Sequence, residues 1–345
     1  MTFRQVATQG GLALAALVAA YFTWQRSPEL APDEVVVVEA GKNDLVRARF
    51  DDQEKHTWVE LSRSADDAGP FVNVHLGPQE QAMSGKGDKG DKGDKGDKDA
   101  APKKTPERLV RGSDASDKLI ASLTPLRASR SLGILSADKL KDLGIDTAKK
   151  RLTLDLRNGK RSFSMTAAPA GGSEPYLRDE QSGQVYLVAR SILSDFQAAA
   201  SILPERRVHA FKLEEADRVT VALGAVRREF VVSHGENGVF LALAASPNKA
   251  DSAFKTWHDR AFSAWPAEVL GKDEVPAEGM PQVELRIDYS TRGRRLGFLE
   301  IAKAATVASN ADGAKTTLFA RSEHTLGWLK LSVDNLLADA QPLLR

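Results

Sequence analysis

The chain of 345 residues contains no cysteine. This absence excludes disulfides, thiol nucleophiles, zinc sites with Cys ligands and iron–sulfur clusters. It also excludes an anchor built on a lipid-modified cysteine. It does not identify the compartment, because oxidising and reducing compartments both contain cysteine-free proteins.

The chain also lacks an excess of charge of either sign, since 48 Lys and Arg stand against 47 Asp and Glu. A net charge of +1 gives no general attraction to nucleic acid or to anionic lipid, so we expect no nucleic-acid partner. The composition, 42% hydrophobic and 28% charged, is typical of a folded globular protein.

Motifs for catalysis and for metal binding are missing as well. The six histidines are scattered, and the sequence has no HExxH, no G-x-S-x-G elbow and no G-x-G-x-x-G. The segment Gly313-Ala314-Lys315-Thr316 lacks the upstream glycine of a phosphate-binding loop. We therefore predict a protein that is not an enzyme, with no catalytic residue, no metal and no cofactor. A hydrolase whose acidic or His residues meet only in the fold stays open.

Residues 6–24 carry no charge and are close to the length that crosses a bilayer as a helix. We predict an uncleaved anchor in residues 1–26, followed by a linker at 27–33. A cleaved signal peptide is the alternative, although Phe22 and Trp24 extend the apolar run past the cut after Ala20. A bacterial inner-membrane protein with one span and a periplasmic body is the simplest case, while Arg4 and Arg26 do not settle the orientation.

Residues 77–107 contain the repetitive run GKGDKGDKGDKGDKD. The run is too short for a collagen helix and has no proline within it, and its spacing does not fit an EF-hand loop. Its glycine content and balanced charge are typical of a flexible linker. We predict a disordered insertion.

The remaining chain is predicted to form an α+β body that contains one unit twice, not a parallel doubly wound sheet. Repeat 1 comprises residues 34–76 and 108–204. Strand-like runs at 34–39, 45–50, 56–61 and 71–76 are predicted to form a small antiparallel sheet, followed by helices at 114–126 and 136–143 and a hairpin at Asn158-Gly159. Repeat 2 comprises residues 205–345, with a helix at 248–265 and a hairpin at Arg292-Gly293. Chance similarity between two α+β halves is the alternative.

Two short segments, 176–180 and 319–323, support the repeat and supply the candidate site residues. In each segment an arginine precedes a glutamate by two positions, which gives Arg178 with Glu180 and Arg321 with Glu323. Residues two apart on a strand share one face, so each pair is a candidate for binding a partner. The alternative is a surface or turn ion pair of little energetic weight.

Three segments resemble the bacterial family called domain of unknown function 4340: 123–133, 176–188 with its Tyr-Leu-Arg-Asp and Val-Tyr-Leu-Val motifs, and 205–209. The resemblance covers most of residues 34–345 apart from the insertion. It implies a single-pass protein with an extracytoplasmic α+β body, associated with ABC-type export systems of the gliding-motility kind. It implies no catalytic residue.

These observations favour a non-catalytic, membrane-anchored envelope protein that serves as an accessory or scaffold subunit, with an ABC-type permease as a candidate partner. The alternative is an extracytoplasmic module that binds a ligand or glycan in a groove between the two repeats.

Overall fold

A computed structural model describes residues 33–41, 43–66, 69–78, 106–167, 172, 174–235, 238–305, 316–333 and 335–344. The architecture is α+β, as predicted, with the strands arranged in antiparallel sheets. The predicted anchor at residues 6–24 and most of the predicted insertion lie outside the described residues. Among the described residues, no helix has the length and apolar character needed to span a bilayer.

The described residues of the first half form a nine-stranded sheet, a two-stranded ribbon and four helices. Its strands are β1 (Val35–Val38), β2 (Leu45–Asp52), β3 (Thr57–Asp66), β4 (Gly69–Leu76), β5 (Arg108–Arg111), β6 (Leu126–Ala128), β7 (Arg130–Ile134), β8 (Lys150–Leu156), β9 (Gly159–Thr166), β10 (Tyr176–Asp179) and β11 (Gln184–Leu187). Its helices are α1 (Asp114–Ser122), α2 (Ala137–Asp142), α3 (Arg190–Gln197) and α4 (Ala199–Ile202).

In the second half, the residues that the structure describes form an eight-stranded sheet and two α-helices. Its strands are β12 (Arg218–Leu223), β13 (Val226–Gly235), β14 (Gly238–Leu243), β15 (Pro266–Val269), β16 (Gln282–Thr291), β17 (Arg294–Ala305), β18 (Thr316–Ser322) and β19 (Leu329–Leu331). Its helices are α5 (Ser252–Phe262) and α6 (Leu336–Leu344).

The two large sheets share one connectivity. Eight strands of the first sheet run in the order β4-β3-β2-β8-β9-β10-β11-β7, and the second sheet runs β14-β13-β12-β16-β17-β18-β19-β15. Each strand thus has a counterpart at the same place in the order, and α1 and α3 correspond to α5 and α6. The ninth strand of the first sheet, β5, lies beyond β4 at its edge.

Comparison of the halves locates the predicted insertion at a hairpin tip. In the first half β4 pairs with β5, and residues 77–107 lie between these strands. In the second half the chain leaves β14 at Leu243, turns, and returns at Ala250, which bridges Ala242. The corresponding connection in the second half is therefore a short turn, whereas in the first half it is the long segment 77–107.

Each sheet buries one face beneath its helices. Phe50 of β2 stacks on Phe196 of α3 with ring centroids 5.0 Å apart, and both belong to the first core. In the second core Phe230 of β13 stacks on Phe254 of α5 at 3.6 Å. Apolar residues alternate along the strands that supply these faces, which is the pattern of a sheet with one buried face.

Local signals placed several elements correctly. The hairpin predicted at Asn158-Gly159 connects β8 to β9, and the one at Arg292-Gly293 connects β16 to β17. Arg292 and Gly293 both have positive φ, 49° and 75°, as a tight hairpin turn requires. Ser136 lies at the N-cap of α2, but its side chain makes no capping hydrogen bond.

Other predictions needed correction. The helix predicted at 248–265 begins at Ser252, because Asp251 caps it, and ends at Phe262. Trp265, the last residue of the predicted helix, is 61% exposed because it lies past the helix end. The strand-like run at 35–38 was expected in the sheet with β2 to β4, but it pairs with β6 in a separate ribbon.

Candidate functional site at the joint between the halves

The four predicted site residues lie at equivalent places in the two sheets. Arg178 is on β10 with Glu180 just after it, and Arg321 is on β18 with Glu323 just after it. Both strands end in the same turn, since Gln181 N donates to Asp179 Oδ1 at 2.9 Å and His324 N donates to Ser322 Oγ at 3.1 Å.

In the first half, Arg178 and Glu180 do not contact each other among the described residues. Glu180 forms an ion pair with Arg151, whose Nε lies 3.1 Å away, and accepts from Ser164 Oγ at 3.0 Å. Arg178 is half-buried, and its Nε has no hydrogen-bond partner among the described residues. The two side chains therefore have separate environments, although they are close in sequence.

In the second half, Arg321 and Glu323 also have separate partners. The Arg321 guanidinium lies 4.6 Å from the centre of the Trp328 ring, and its Nε donates to Glu300 at 2.5 Å. Glu323 accepts from Phe298 N at 2.9 Å, and His209 Nδ1 lies 3.0 Å from it. Glu323 thus belongs to the contact between β18 and the segment that enters the second half.

Glu205 is a buried carboxylate that the sequence analysis did not predict as a site residue. It lies where β5 of the first half meets the start of the second half and the turn after β18, and we call this contact the joint. Glu205 accepts from Arg206 N at 2.9 Å, from Arg207 N at 2.8 Å and from the Arg207 guanidinium at 2.6 Å. His324 Nε2 lies 3.4 Å from Glu205 Oε2, the oxygen that also accepts from Arg207 Nη2. Burial works to raise the pKa of Glu205, but hydrogen bonds from His324 and Arg207 outweigh it and hold the pKa at about 2.

The backbone of the joint is hydrogen-bonded across the two halves. Glu205 N donates to Arg111 O at 2.8 Å, and Lys272 N donates to Leu109 O at 2.7 Å. Both acceptors belong to β5, the strand without a full counterpart in the second half. The outer edge of β5 is therefore occupied by second-half backbone.

Arginines of β5 complete the joint. Arg108 donates to Glu268 at 2.7 Å and to Glu274 at 2.9 Å, both in the second half. Arg111 is buried, pairs with Asp66 and lies over the Phe71 ring at 3.9 Å. Charged groups at the joint are thus matched by opposite charges or by an aromatic face.

Gly327 allows the turn before β19 to approach the backbone of Leu270 and Gly271 closely. A Cβ added to Gly327 would lie 2.3 Å from Gly271 O and 2.5 Å from Leu270 O. A cavity of about 10 Å³ lies beside Arg111, Glu205 and His324. That volume holds about one water molecule, so this cavity does not suit a glycan.

A second buried polar group lies within the second core. His258 is fully buried, and its Nε2 lies 3.0 Å from Tyr289 Oη. Burial lowers the pKa of His258 and raises the pKa of Tyr289 well above its usual value, so both are neutral near pH 7. His209 stacks on Phe262 at 4.4 Å beside the same tyrosine. Such enclosed neutral groups are suited to packing rather than to proton transfer with solvent.

Sequence order gave no sign that His209 contacts Glu323 and that His324 contacts Glu205, more than one hundred positions away in each case. Within the described ranges, no group of three or more His, Asp or Glu side chains is arranged to hold a metal ion. Comparisons with protein-family models, with curated proteins and with solved structures found no match. The resemblance drawn from residues 123–133, 176–188 and 205–209 therefore stays a prediction.

Proposed function

We propose that this chain is a non-catalytic, membrane-anchored scaffold subunit of an envelope complex, with an ABC-type permease as the candidate partner. This proposal rests on the joint between the two halves, where charged groups are paired with groups of the protein itself. Glu205, the most extensively hydrogen-bonded carboxylate described at the joint, has its partners supplied by the protein itself. An arrangement of this kind holds two sheets in one orientation, which is what a scaffold requires.

The sequence supplies the remaining support. The uncharged stretch at 6–24 is long enough to anchor the body in a bacterial inner membrane as a single span, with the body on the periplasmic side. Residues 77–107 are proposed as a flexible insertion on the basis of their composition. The resemblance to the domain of unknown function 4340 adds the association with ABC-type export.

We also infer that the body arose by duplication of one unit. The support is the shared order of eight strands and the common turn after β10 and β18. A scaffold made of two equivalent sheets presents two similar surfaces, and such a body suits a partner that itself contains related halves.

Arg178, Glu180 and Arg321 are proposed as contacts for the partner. Glu180 is exposed, and the Arg321 side chain is 47% exposed although it pairs with Glu300. Glu323, the fourth candidate, is largely enclosed beside His209, so its contribution to a partner would be to hold the joint in shape.

The test is crosslinking of the full-length chain in intact membranes, followed by mass spectrometry. We expect the chain in the membrane fraction, with reproducible crosslinks to a membrane protein. The double variant Arg178→Ala with Glu180→Ala should reduce the crosslink yield, whereas Arg227→Ala, at an exposed position of β13, serves as the matched control. Recovery of the chain only as a lone monomer would contradict the proposal.

A further inference from the structure

The two large sheets carry equivalent rows of three side chains, and each row crosses three neighbouring strands with an arginine at both ends. The first row consists of Arg151, Ser164 and Arg178 on β8, β9 and β10, and the second row consists of Arg286, Glu300 and Arg321 on β16, β17 and β18. Neighbours of the middle residues along the strands, such as Phe163 and Leu299, belong to the two cores, so both rows lie on the opposite face of their sheets. The rows therefore differ chiefly in the residue between the arginines.

In the second row Glu300 neutralises both arginines. Its buried carboxylate accepts from Arg286 Nη1 and from Arg321 Nε. Asp288 supplies a further carboxylate, which accepts from Arg286 Nη2 at 2.8 Å. The two positive charges of this row therefore face two negative charges that the chain itself supplies.

The first row has a serine in place of this glutamate, because the strand pairing puts Ser164 where the second row has Glu300. Among the described residues, Glu180 is the one carboxylate that pairs with this row. It forms an ion pair with Arg151, whose Nε lies 3.1 Å away, and accepts from Ser164 Oγ at 3.0 Å. Two positive charges, those of Arg151 and Arg178, therefore face a single negative charge.

Arg178 is the member of the first row that is left without a partner. Its Nε is buried and has no hydrogen-bond acceptor, and its guanidinium forms no ion pair with any described residue. In the second row the equivalent Nε, that of Arg321, donates to the middle residue, Glu300. A carboxylate brought against Ser164 would thus meet a donor that is already desolvated and has no bond to give up, which favours a charge-assisted hydrogen bond.

We propose that the first row binds an acidic side chain of the protein partner, whose carboxylate takes the place that Glu300 has in the second row. Arg178 donates to this carboxylate through Nε, and Arg151, whose side chain is 52% exposed, adds positive charge beside it. The row lies on the face of a sheet, which suits the surface of another protein better than a small ligand that needs a concave site. This inference rests on the proposed function, because it describes how the scaffold recognises its partner.

The first test supplies the carboxylate from the chain itself. Ser164→Glu should raise the thermal midpoint by about 2 °C over Ser164→Gln at low salt, because a glutamate there faces Arg178 across the strands. The difference should disappear when Arg178→Gln is added to both variants. Equal midpoints, or a difference that persists without Arg178, would overturn the assignment.

The second test measures recognition of an acidic peptide. A fluorescent peptide of Gly-Glu repeats, with a Gly-Gln peptide for comparison, is titrated with the full-length chain in detergent micelles. We expect the acidic peptide to bind about tenfold more tightly, and Arg178→Gln and Ser164→Glu each to remove most of that advantage. Arg227→Gln and Ser233→Glu make the same charge changes on β13 of the other sheet and should leave binding unchanged. Equal binding of the two peptides, or equal losses in the control variants, would overturn the proposal.

Crosslinking in intact membranes separates this inference from the scaffold role. We expect Ser164→Glu to lower the yield of crosslinks to the membrane partner about tenfold, because its own carboxylate occupies Arg178. If wild type and Ser164→Glu crosslink equally well, the inference is wrong while the scaffold role stands. If the wild-type chain gives no crosslink to a membrane protein, the scaffold role is contradicted and this inference with it.

Discussion

His324 Nε2 lies 3.4 Å from Glu205 Oε2, although 119 positions separate the two residues in the chain. Glu205 begins the segment that enters the second half, and His324 lies in the turn between β18 and β19. Their contact therefore joins the turn after β18 to the segment with which the second half begins. Because Glu205 N also bonds Arg111 O of β5, the same residue joins the two halves.

Replacement of this carboxylate should loosen the joint. Glu205→Gln keeps the size of the side chain but leaves Arg207 and His324 without the charge they face. We expect a loss of about 1–3 kcal/mol in the free energy of unfolding, since the buried side chain loses its charge-assisted hydrogen bonds, while Arg207 keeps its ion pair with Asp114. Urea unfolding at pH 7 measures it. Glu214→Gln, at an exposed position, is the control and should change stability by less than about 0.5 kcal/mol.

The same variant should change the dependence of stability on acid. The folded pKa of Glu205 is about 2, below its ordinary 4.5, so the unfolded chain binds the proton more readily. Its contribution to stability is therefore complete above about pH 4.5 and is lost as the pH falls towards 2. Urea midpoints of wild type and Glu205→Gln should converge over that interval. A constant difference from pH 7 to pH 2.5 would contradict the assigned ionisation.

Gly327→Ala should destabilise the joint by steric overlap. The new Cβ would lie 2.3 Å from the carbonyl oxygen of Gly271, a backbone atom that cannot move independently. We expect a loss of about 1–3 kcal/mol, the usual range for overpacking. Gly235→Ala is the matched control, because the nearest atoms to its Cβ are at 3.7 Å. Equal thermal midpoints for the two variants would show that Gly327 is not tightly enclosed.

His258→Gln should reduce the sensitivity of stability to mild acid. Burial lowers the pKa of His258 in the folded state, so the unfolded chain binds more protons below its ordinary pKa of 6.5. Stability contributed by the neutral ring is therefore lost as the pH falls below that value. Glutamine can still bond Tyr289 but does not titrate. Urea midpoints between pH 7 and 5 should change less in this variant than in wild type or in His234→Gln.

Replacement of residues 79–105 by a short turn copied from 244–249 should leave the fold intact. The counterpart hairpin closes with such a turn, and a shorter loop costs less closure entropy. We expect the free energy of unfolding to be unchanged or higher by about 1 kcal/mol. Thermal unfolding measures it, and loss of cooperative unfolding would show that the replaced residues support the body.

The elements that sequence patterns predicted well are those with strong local signals. Gly159 and Gly293 have positive φ, 147° and 75°, which glycine adopts without strain, so both sites allow tight hairpins without help from distant residues. The alternation in 45–50 predicts β2 because one face of that strand is buried. By contrast, β6 and β7 are three and five residues long and join sheets through distant partners, so the sequence there carried little signal.

The candidate site residues were likewise predicted only in part. The likeness of 176–180 to 319–323 predicted equivalent positions, and the two segments do lie on corresponding strands. It did not predict that Arg178 and Glu180, or Arg321 and Glu323, would face different partners, because neighbouring strands supply Arg151 and Glu300. In the sequence, Glu205 is a single acidic residue before two arginines, and only its burial in the fold distinguishes it from a surface carboxylate.

The sequence by itself determined the α+β class, the tight hairpins and the alternation that gives each sheet one buried face. These depend on backbone preferences and on side-chain period, which neighbouring residues set. Tertiary structure alone decided which strands are neighbours, how β5 receives the second half, and which polar groups lose water. Those outcomes depend on contacts between residues more than one hundred positions apart, such as His324 with Glu205, and no local pattern encodes them.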